Sequence, residues 1–431
     1  MPALARIAIR ARRLALLCAI GLALSSAASA APETTPAPKV VLRIVVMRHG
    51  VRSPTSAPAE LAPYANRPWT EWPVAPGVLT PHGAQGMTAL GRRYRESLGD
   101  SGLWSGRCDT LDEVTVIADS TPRNRASAAA LMQGLAPACP GHYLALAADQ
   151  SNPLFHFGEG KDGKDDDGAS SLLPAQWPPD ALVALQRILL GCQGDACLTQ
   201  AKTSGRKLLL DPAHDDNAAR TKSLKTAGSL SENLMLEYAQ GFPLTHVAWG
   251  SGDNHTISQL ITLHNLQFAL TKKSMPAAAQ AGSNLMAHIL ATLQQAAGAA
   301  PVVAPLTDRR EKVMILLGHD TNLANLAGVL ALDWHDARQP DDYPPGGALV
   351  FDLLNDHGHY MLRVSTAMPT LDALRRADFS PQEALVQRNL SLPACPGKST
   401  CPLTVVSQWL DTRLDPQRIE EAIPVMPSNT P

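Results

Sequence analysis

Two arginines flank a histidine near the start of the chain, in the segment Arg48-His49-Gly50-Val51-Arg52-Ser53-Pro54-Thr55. The guanidinium groups of Arg48 and Arg52 offer forked N–H donors whose geometry matches phosphate oxygens. A neutral imidazole held between them is placed to attack phosphorus as a nucleophile. The competing interpretation is a pair of surface arginines beside an ordinary packed histidine. The segment therefore predicts phosphate chemistry with His49 as the reacting group.

Two further polar clusters follow apolar runs later in the chain. His319 and Asp320 come directly after the run 312–317, and the segment 119–125, which ends in Arg125, follows the run 113–119. The N-terminus of a helix attracts anions, and an arginine at that position adds a full positive charge. Asp320 could instead act only as a cap of the helix that starts there. Together the three clusters favour an anionic ligand.

The clusters must be positioned by strands. Runs rich in β-branched residues predict buried strands at 40–47, 113–119, 312–317, 349–354 and 360–364. Helical patterns follow two of them, at 123–135 and 321–330. Strand, short loop and helix in repetition predict an α/β sheet, in which ligands bind beyond the carboxyl ends of the strands.

The middle of the chain is different in character. Helical periodicity with many Ala, Leu and Gln residues marks the segments 181–190, 224–240, 255–270 and 274–297. We therefore predict an α/β domain formed by residues 38–159 and 300–431, interrupted by a mostly helical insertion domain at 160–299. The charged stretch 158–168 is predicted to be a loop at the boundary.

Composition excludes several classes of protein. Lys and Arg total 37 against 39 Asp and Glu, giving a formal net charge of −2, and aromatic residues make up 4%. A nucleic-acid surface needs basic residues and commonly aromatic platforms, so no nucleic-acid partner is expected. Beyond Leu24 the chain has no apolar run of the roughly 18 residues that a membrane span requires.

The first 30 residues have the parts of a secretory signal peptide. A basic region containing four arginines precedes the short apolar run Leu14–Leu24, and Ala28-Ser29-Ala30 offers a small-residue cleavage site. The run is short for a membrane anchor, which is the competing interpretation. We therefore predict that residues 1–30 are removed and that the mature chain is periplasmic or secreted.

Besides Cys18, the chain contains six cysteines, an even number that favours disulfides in an exported protein. Six cysteines allow many connectivities, of which proximity along the chain favours Cys108–Cys139, Cys192–Cys197 and Cys395–Cys401. A zinc site is the rival interpretation, although the sequence has no Cys-x-x-Cys pair.

The motif Arg-His-Gly-x-Arg-x-Pro at 48–54, combined with the nonapeptide Gly318–Leu326, resembles the histidine acid phosphatases, the branch of the histidine phosphatase superfamily that contains the phytases. Supporting stretches are Leu79–Gly83, Gly134–Pro137, Leu263–Asn265 and Pro344–Gly347. The similarity runs from about Val40 through Leu354 and more weakly to Cys401. It implies a phosphoglycerate-mutase-like sheet domain with helices on both faces and an inserted, mostly helical domain.

The resemblance also implies roles for individual residues. His49 would accept the phosphoryl group, and Asp320 would donate a proton to the leaving group. The implied phosphate clamp and pocket consist of Arg48, Arg52, Thr55, Arg125, His319, Asp119 and Glu232. No metal or other cofactor is implied, because arginines supply the charge that phosphoryl transfer needs. The implied partner is a small phosphomonoester, either an inositol phosphate or a sugar phosphate, and the implied enzyme is a monomer.

Two positions bear on the substrate. Ser56 stands where enteric phytases tend to carry lysine, which weakens the case for inositol hexakisphosphate. Thr321 favours it, since phytases of this branch prefer His-Asp-Thr and glucose-1-phosphatases prefer His-Asp-Ser. The three proximate cysteine pairs also match the family's arrangement, whereas a long-range bridge of some members is missing.

Three alternatives remain open at this point. The chain could be a glucose-1-phosphatase or a broad acid phosphatase of the same family. It could be a metal-dependent phosphohydrolase that uses His319 and Asp320 as ligands, or a phosphate-binding protein without turnover. Inhibition by chelators would favour the metal enzyme, and an assay with p-nitrophenyl phosphate would separate an enzyme from a binding protein.

Overall fold

The computed structural model describes residues 38–156, 173–307 and 311–430. The predicted signal peptide at 1–30 and the predicted loop at 158–168 lie outside the described residues. Within them, nine strands form one sheet: β1 (Lys39–Arg48), β2 (Val114–Ala118), β3 (Tyr143–Leu144), β4 (Val313–Gly318), β5 (Ala348–Asp356), β6 (His359–Pro369), β7 (Leu385–Leu390), β8 (Cys401–Pro402) and β9 (Ser428–Asn429). The five strands predicted from β-branched runs are confirmed.

The sheet is half parallel and half antiparallel. Its order is β7-β6-β5-β1-β4-β2-β3-β9, with β8 paired to β6. Strands β1, β4, β2 and β3 are parallel, whereas β5, β6 and β7 alternate in direction. Arg48 pairs with Gly318, and Ala118 pairs with Leu317, so the ends of β1, β4 and β2 lie level. Whatever follows these three strands must therefore meet at one edge of the sheet.

Helices cover both faces of this sheet. They are α1 (Pro58–Leu61), α2 (Pro81–Asp100), α3 (Pro122–Leu135), α4 (Pro153–His156), α5 (Asp180–Leu190), α6 (Asp195–Thr203), α7 (Asn217–Ala239), α8 (Asn254–Leu260), α9 (Thr262–Phe268), α10 (Ala277–Ala296), α11 (Asp320–Val329), α12 (Leu371–Arg376) and α13 (Leu403–Leu410). The side chains of β1 alternate accordingly, with Val45 and Met47 on one face and Ile44 and Val46 on the other. The predicted α/β class with helices on both faces is confirmed.

The predicted insertion contributes helices to both layers. The buried faces of α5, α7 and α8 join the core that contains α2 and α3, whereas α10 packs with α11 on the opposite face of the sheet. The division into domains at 160 and 299 stays a prediction. Among the described residues, no single helix has the length and apolar composition to cross a membrane, although the bent pair α5 and α6 together meets those two criteria.

Helix α2 was not among the predicted elements, and its packing shows why. A Cβ on Gly91 would lie 2.2 Å from the Leu131 carbonyl oxygen, and one on Gly134 would lie 1.9 Å from the Thr88 carbonyl oxygen. The backbones of α2 and α3 therefore touch, which only glycine allows. The same glycines lower the helix propensity of these segments, which is why the sequence does not predict α2.

Three disulfides tie local segments together. The pairs are Cys108–Cys139, Cys192–Cys197 and Cys395–Cys401, with Cα–Cα distances of 5.2, 5.8 and 5.6 Å. These are the pairs that sequence proximity favoured. The first one joins the segment before β2 to the segment after α3, on either side of a predicted site segment.

Candidate active site

The three predicted clusters meet beyond the parallel strands. The backbone N–H of His49 donates to the Gly318 carbonyl at 3.0 Å, and the N–H of Asp119 donates to the Leu317 carbonyl at 2.9 Å. These bonds extend the sheet ladder past β1 and β2. They bring His49, His319 and Asp119 side by side, and the His49 and His319 rings lie edge to face with centroids 5.6 Å apart.

The His49 ring is held in one tautomer. Its Nδ1 lies 2.9 Å from the carbonyl oxygen of Gly50, so Nδ1 carries the proton and Nε2 keeps a free lone pair. Gly50 is required here because a Cβ would lie 2.7 Å from Met87 Cγ. Burial, followed by the positive charges of Arg123 and Arg48, holds the pKa of His49 well below its usual value. The ring is therefore neutral, with an unprotonated Nε2.

Two guanidinium groups share one carboxylate from the predicted insertion. Glu232 on α7 accepts from Arg52 Nη2 through both oxygens, at 3.1 and 3.2 Å, and forms a short ion pair with Arg48. All three side chains are buried. Burial alone would raise the pKa of Glu232, but the charges of Arg52 and Arg48 lower it below its usual range. Glu232 is therefore ionised in this site.

Asp320 is the first residue of α11, and it faces the same arginines. Its Oδ2 lies 2.8 Å from Arg48 Nη2, and its Oδ1 accepts from the Thr321 N–H at 2.8 Å. Burial works to raise the pKa of Asp320, but Arg48, His264 and Arg52 outweigh it and lower the pKa below its ordinary value. Asp320 is not the N-cap: His319 occupies that position. A contact with the helix backbone therefore explains only Oδ1 of Asp320, while Oδ2 pairs with Arg48.

His319 is oriented by a second buried carboxylate. Its Nε2 lies 2.9 Å from Asp119 Oδ2, and Arg123 Nη2 donates to its Nδ1 at 3.1 Å. Burial, with Arg123 adding to it, lowers the pKa of His319 despite the adjacent carboxylate. Asp119 itself is fully buried, and its two histidine contacts lower its pKa although burial opposes this. The imidazole is held neutral, with a donor on the Asp119 side.

Two predicted residues do not join this cluster. Arg125 donates to the Leu146 carbonyl at 2.5 Å and to Asn429 Oδ1 at 2.8 Å, which directs its guanidinium toward β3 and β9. The arginine that α3 directs at the cluster is Arg123, two residues earlier. Positions two apart on a helix lie about 200° apart around its axis, so the two side chains leave α3 on different sides. Thr55 is exposed on the loop beyond Arg52.

Three further residues complete the surroundings without having been predicted there. His264 on α9 is buried and lies 3.4 Å from Asp341, which in turn lies 3.7 Å from Arg48. Asp341 and Glu232 raise the pKa of His264 against the effect of burial. His156, at the end of α4, lies 3.1 Å from Asp119 Oδ2 and packs on the His319 ring.

Two groups in this region have donor atoms close enough to hold a metal ion. They are Asp119 with His156 and His319, and Glu232 with His264 and Asp320; within each group the donor atoms lie within 4.8 Å of one another. Arg48 contacts the second group, and Arg123 contacts the first. Guanidinium groups at these distances oppose a cation, so the arrangement is built for an anion.

Comparison with known proteins agrees with this chemistry. A family model described as the histidine phosphatase superfamily (branch 2) matches residues 40–366. The chain is 32% identical over 377 residues to the phytase AppA of Escherichia coli, a match that covers 80% of this chain and 84% of that protein. It is 28% identical over 423 residues to a glucose-1-phosphatase of Salmonella typhimurium, covering 93% and 98% of the two chains.

Solved structures give the same result for the fold. The phytase of Hafnia alvei, in complex with tartrate, superposes with a TM-score of 0.75 at 28% sequence identity, and the match covers 89% of this chain and all of that chain. The same phytase in complex with myo-inositol hexakis sulphate gives a TM-score of 0.69 at 27% identity over 89% and 100% of the chains.

Proposed function

The chain belongs to branch 2 of the histidine phosphatase superfamily and hydrolyses phosphomonoesters, and we propose that it does so through a phosphohistidine formed on His49. The observation that carries this proposal is the His49 tautomer, since Nδ1 is bonded to the Gly50 carbonyl and Nε2 keeps its lone pair. In the first step Nε2 attacks phosphorus while the bond from phosphorus to the leaving oxygen breaks. In the second step water attacks the phosphohistidine and releases inorganic phosphate.

Charge stabilisation in both steps comes from the arginines. Phosphoryl transfer spreads negative charge over three equatorial oxygens, and preorganised donors in a dry site stabilise that charge. Arg48 and Arg52 supply two guanidinium groups, and we propose Arg123 as the third, in place of Arg125. His319 supports Arg123, whose Nη2 donates to its Nδ1. Asp119 has a positioning role, because it fixes the ring of His319.

Asp320 transfers the proton. In the ligand-free site Arg48 keeps it ionised. A phosphate group that binds Arg48 and Arg52 compensates their charge and raises the pKa of Asp320 again. Below its second pKa of about 6, a phosphomonoester brings a proton that Asp320 can take up and pass to the leaving oxygen. The Asp320 carboxylate then accepts a proton from the attacking water. Because the first step needs a proton for the leaving oxygen, activity is favoured at acidic pH.

Inositol hexakisphosphate is the substrate that we propose. Support comes from the similarity to a phytase at 32% identity and from the structural likeness to a phytase that binds myo-inositol hexakis sulphate. A sugar phosphate is the second candidate, favoured by the match to a glucose-1-phosphatase over 93% of this chain. A panel of substrates from inositol hexakisphosphate to glucose 1-phosphate decides between them by their kcat/KM values.

We further propose that the enzyme works outside the cytoplasm as a monomer. Three disulfides among the six cysteines of the described chain support an oxidising compartment. N-terminal sequencing of the protein recovered from the periplasm or the medium tests the removal of residues 1–30. Light scattering tests the monomer.

Trapping the intermediate tests the nucleophile. Rapid quenching into alkali of the enzyme with labelled substrate should leave label on His49, because phosphohistidine is stable to base and labile to acid. His49→Ala should lose at least about 10⁴-fold in kcat while unfolding at the same temperature as the wild type. Label on an aspartate or serine would refute the assignment, as would substantial residual turnover by a folded His49→Ala variant.

A further inference from the structure

A second arginine-lined cleft lies beside Arg43, the fifth of the ten residues of β1, and away from the carboxyl end of that strand. It encloses about 320 Å³ between α2 and the strands β1, β5, β6 and β7. The arginines that line it are Arg43, Arg93, Arg363 and Arg388, and its carboxylate is Asp352. Arg43 precedes His49 by six residues of extended chain, so about 20 Å separate the cleft from the nucleophile. The cleft is a separate site.

The carboxylate in this cleft neutralises only part of the positive charge. Asp352 accepts from Arg43 Nε at 2.7 Å and Nη2 at 3.0 Å, and from Arg363 Nη2 at 2.6 Å. The Nη1 groups of Arg43 and Arg363 take no part in these bonds. Arg93 lies 3.6 Å from Glu96, whose side chain is 61% exposed, and Arg388 lies 3.7 Å from Asp336, which is also paired with Arg338. An excess of positive charge and unused N–H donors therefore face the cavity.

A buried hydroxyl points to a missing acceptor. Tyr94 on α2 lines the cleft and is only 7% exposed, yet its hydroxyl has no hydrogen-bond partner among the described residues. A buried hydroxyl without a hydrogen-bond partner destabilises the fold. Burial raises the pKa of Tyr94 above its usual value despite the opposing charge of Arg43, so the group remains a donor at neutral pH. Tyrosine and arginine donors around one cavity match the oxygens of an anion.

We propose that this cleft is a second binding site, specific for a small oxyanion of the phosphate class. Arg43, Arg363 and Tyr94 donate hydrogen bonds to the anion, and Arg93 and Arg388 add positive charge at the rim. The two arginines that grip Asp352 stay in place, since each keeps its carboxylate contact and uses its remaining N–H group for the ligand. The inference does not depend on the catalytic roles proposed for His49 and Asp320.

Calorimetric titration with inorganic phosphate tests the proposal, with sodium chloride holding the ionic strength constant. The wild type should show two binding events, one of which matches the constant for competitive inhibition of p-nitrophenyl phosphate hydrolysis. The double variant Arg93→Gln with Arg363→Gln should weaken the other event by at least about tenfold, since one charge-assisted contact and one rim charge are lost, and should leave the inhibition constant unchanged.

Two further variants make the test specific. Tyr94→Phe removes only the orphan hydroxyl, so it should keep or raise the unfolding temperature without phosphate and weaken the second event about threefold to tenfold. Arg220→Gln is the matched control, because Arg220 is 31% exposed and also paired with an aspartate, compared with 27% for Arg363. A single binding event equal to the inhibition constant would overturn the proposal. A second event that survives Tyr94→Phe and the double variant, or weakens equally in Arg220→Gln, would do the same.

Discussion

The amino-terminal half and the carboxyl end of β1 each carry an arginine bonded to buried carboxylates, but the carboxylates come from different kinds of element. Toward the amino end Arg43, Asp352 and Arg363 lie directly opposite one another in the register of β1, β5 and β6. At the carboxyl end Arg48 meets Glu232 from α7 and Asp320 from α11. The first set is fixed by the sheet ladder, and the second by helices that pack beyond it.

This difference separates a structural ion pair from an exchangeable one. The backbone ladder keeps cross-strand neighbours opposite one another, so their side chains stay within reach. Side chains that reach in from separate helices can release an arginine when a ligand with more charge arrives. The element that carries the carboxylate, more than its distance from the arginine, therefore distinguishes a buried ion pair that stabilises the fold from one that a substrate can replace.

The largest expected effect is on chemistry at the carboxyl end. Asp320→Asn should reduce kcat for an alkyl phosphate by about 10³-fold, or roughly 4 kcal/mol, because the leaving oxygen loses its proton donor. The loss for p-nitrophenyl phosphate should be much smaller, since that leaving group departs without a proton. Stopped assays with both substrates measure this, and equal losses would make Asp320 structural.

The amino end should respond in stability instead of rate. Asp352→Ala leaves Arg43 and Arg363 without their buried carboxylate and should lower the free energy of unfolding by about 3 kcal/mol. Urea denaturation measures the change, and kcat for p-nitrophenyl phosphate at a temperature where the variant is folded should match the wild type. A variant with full stability and impaired kcat would break the contrast between the two ends.

The two arginines of α3 give an internal comparison within the site. Arg123→Gln should lower kcat/KM by about 10- to 100-fold, since a transition-state donor beside His319 is lost. Arg125→Gln should change kcat/KM by less than about threefold, because its guanidinium binds Leu146 and Asn429 instead. The reverse ranking in steady-state kinetics would restore Arg125 to the phosphate clamp.

The smallest expected effect is on KM and concerns position 56, where the chain carries an uncharged serine. Ser56→Lys places a partly exposed cation on the loop beyond Arg52, and should lower KM for inositol hexakisphosphate by about threefold at low salt. The gain should shrink as salt screens the charge, and p-nitrophenyl phosphate should show none, having no second phosphate. An equal gain for both substrates would mean that position 56 faces the scissile phosphate.

Much of the sheet could be predicted because its strands are buried on both faces and therefore appear as continuous β-branched runs. The clusters at the ends of β1 and β4 could be predicted for the same reason. Helix α2 could not, since Gly91 is selected by contact with α3 and weakens the local signal. The segment predicted as one helix at 255–270 forms α8 and α9, with a break at Ile261 that no proline or glycine marks.

The rest of the site depends on distances between segments that the sequence does not encode locally. The sequence alone did not decide which of Arg123 and Arg125 faces the strands, because that choice depends on how α3 is rotated against the sheet. His264 and Asp341 carry no recognisable spacing and meet only because α9 packs beside the loop before β5. Family resemblance supplied Glu232, which spacing could not have found 180 residues after Arg52.

Glu232 already supplies a carboxylate to Arg48 and Arg52, and this anion is covalently anchored to the protein through α7. Under the proposed function, a phosphate group that binds Arg48 and Arg52 must therefore compete with the Glu232 carboxylate for the two guanidinium groups. Monovalent anions such as chloride compete weakly with Glu232 for the two arginines. A phosphate competes better because it carries more charge and more oxygens. Because Glu232 is held on α7 beside the two arginines, its carboxylate would compete with product phosphate for them at the end of each turnover.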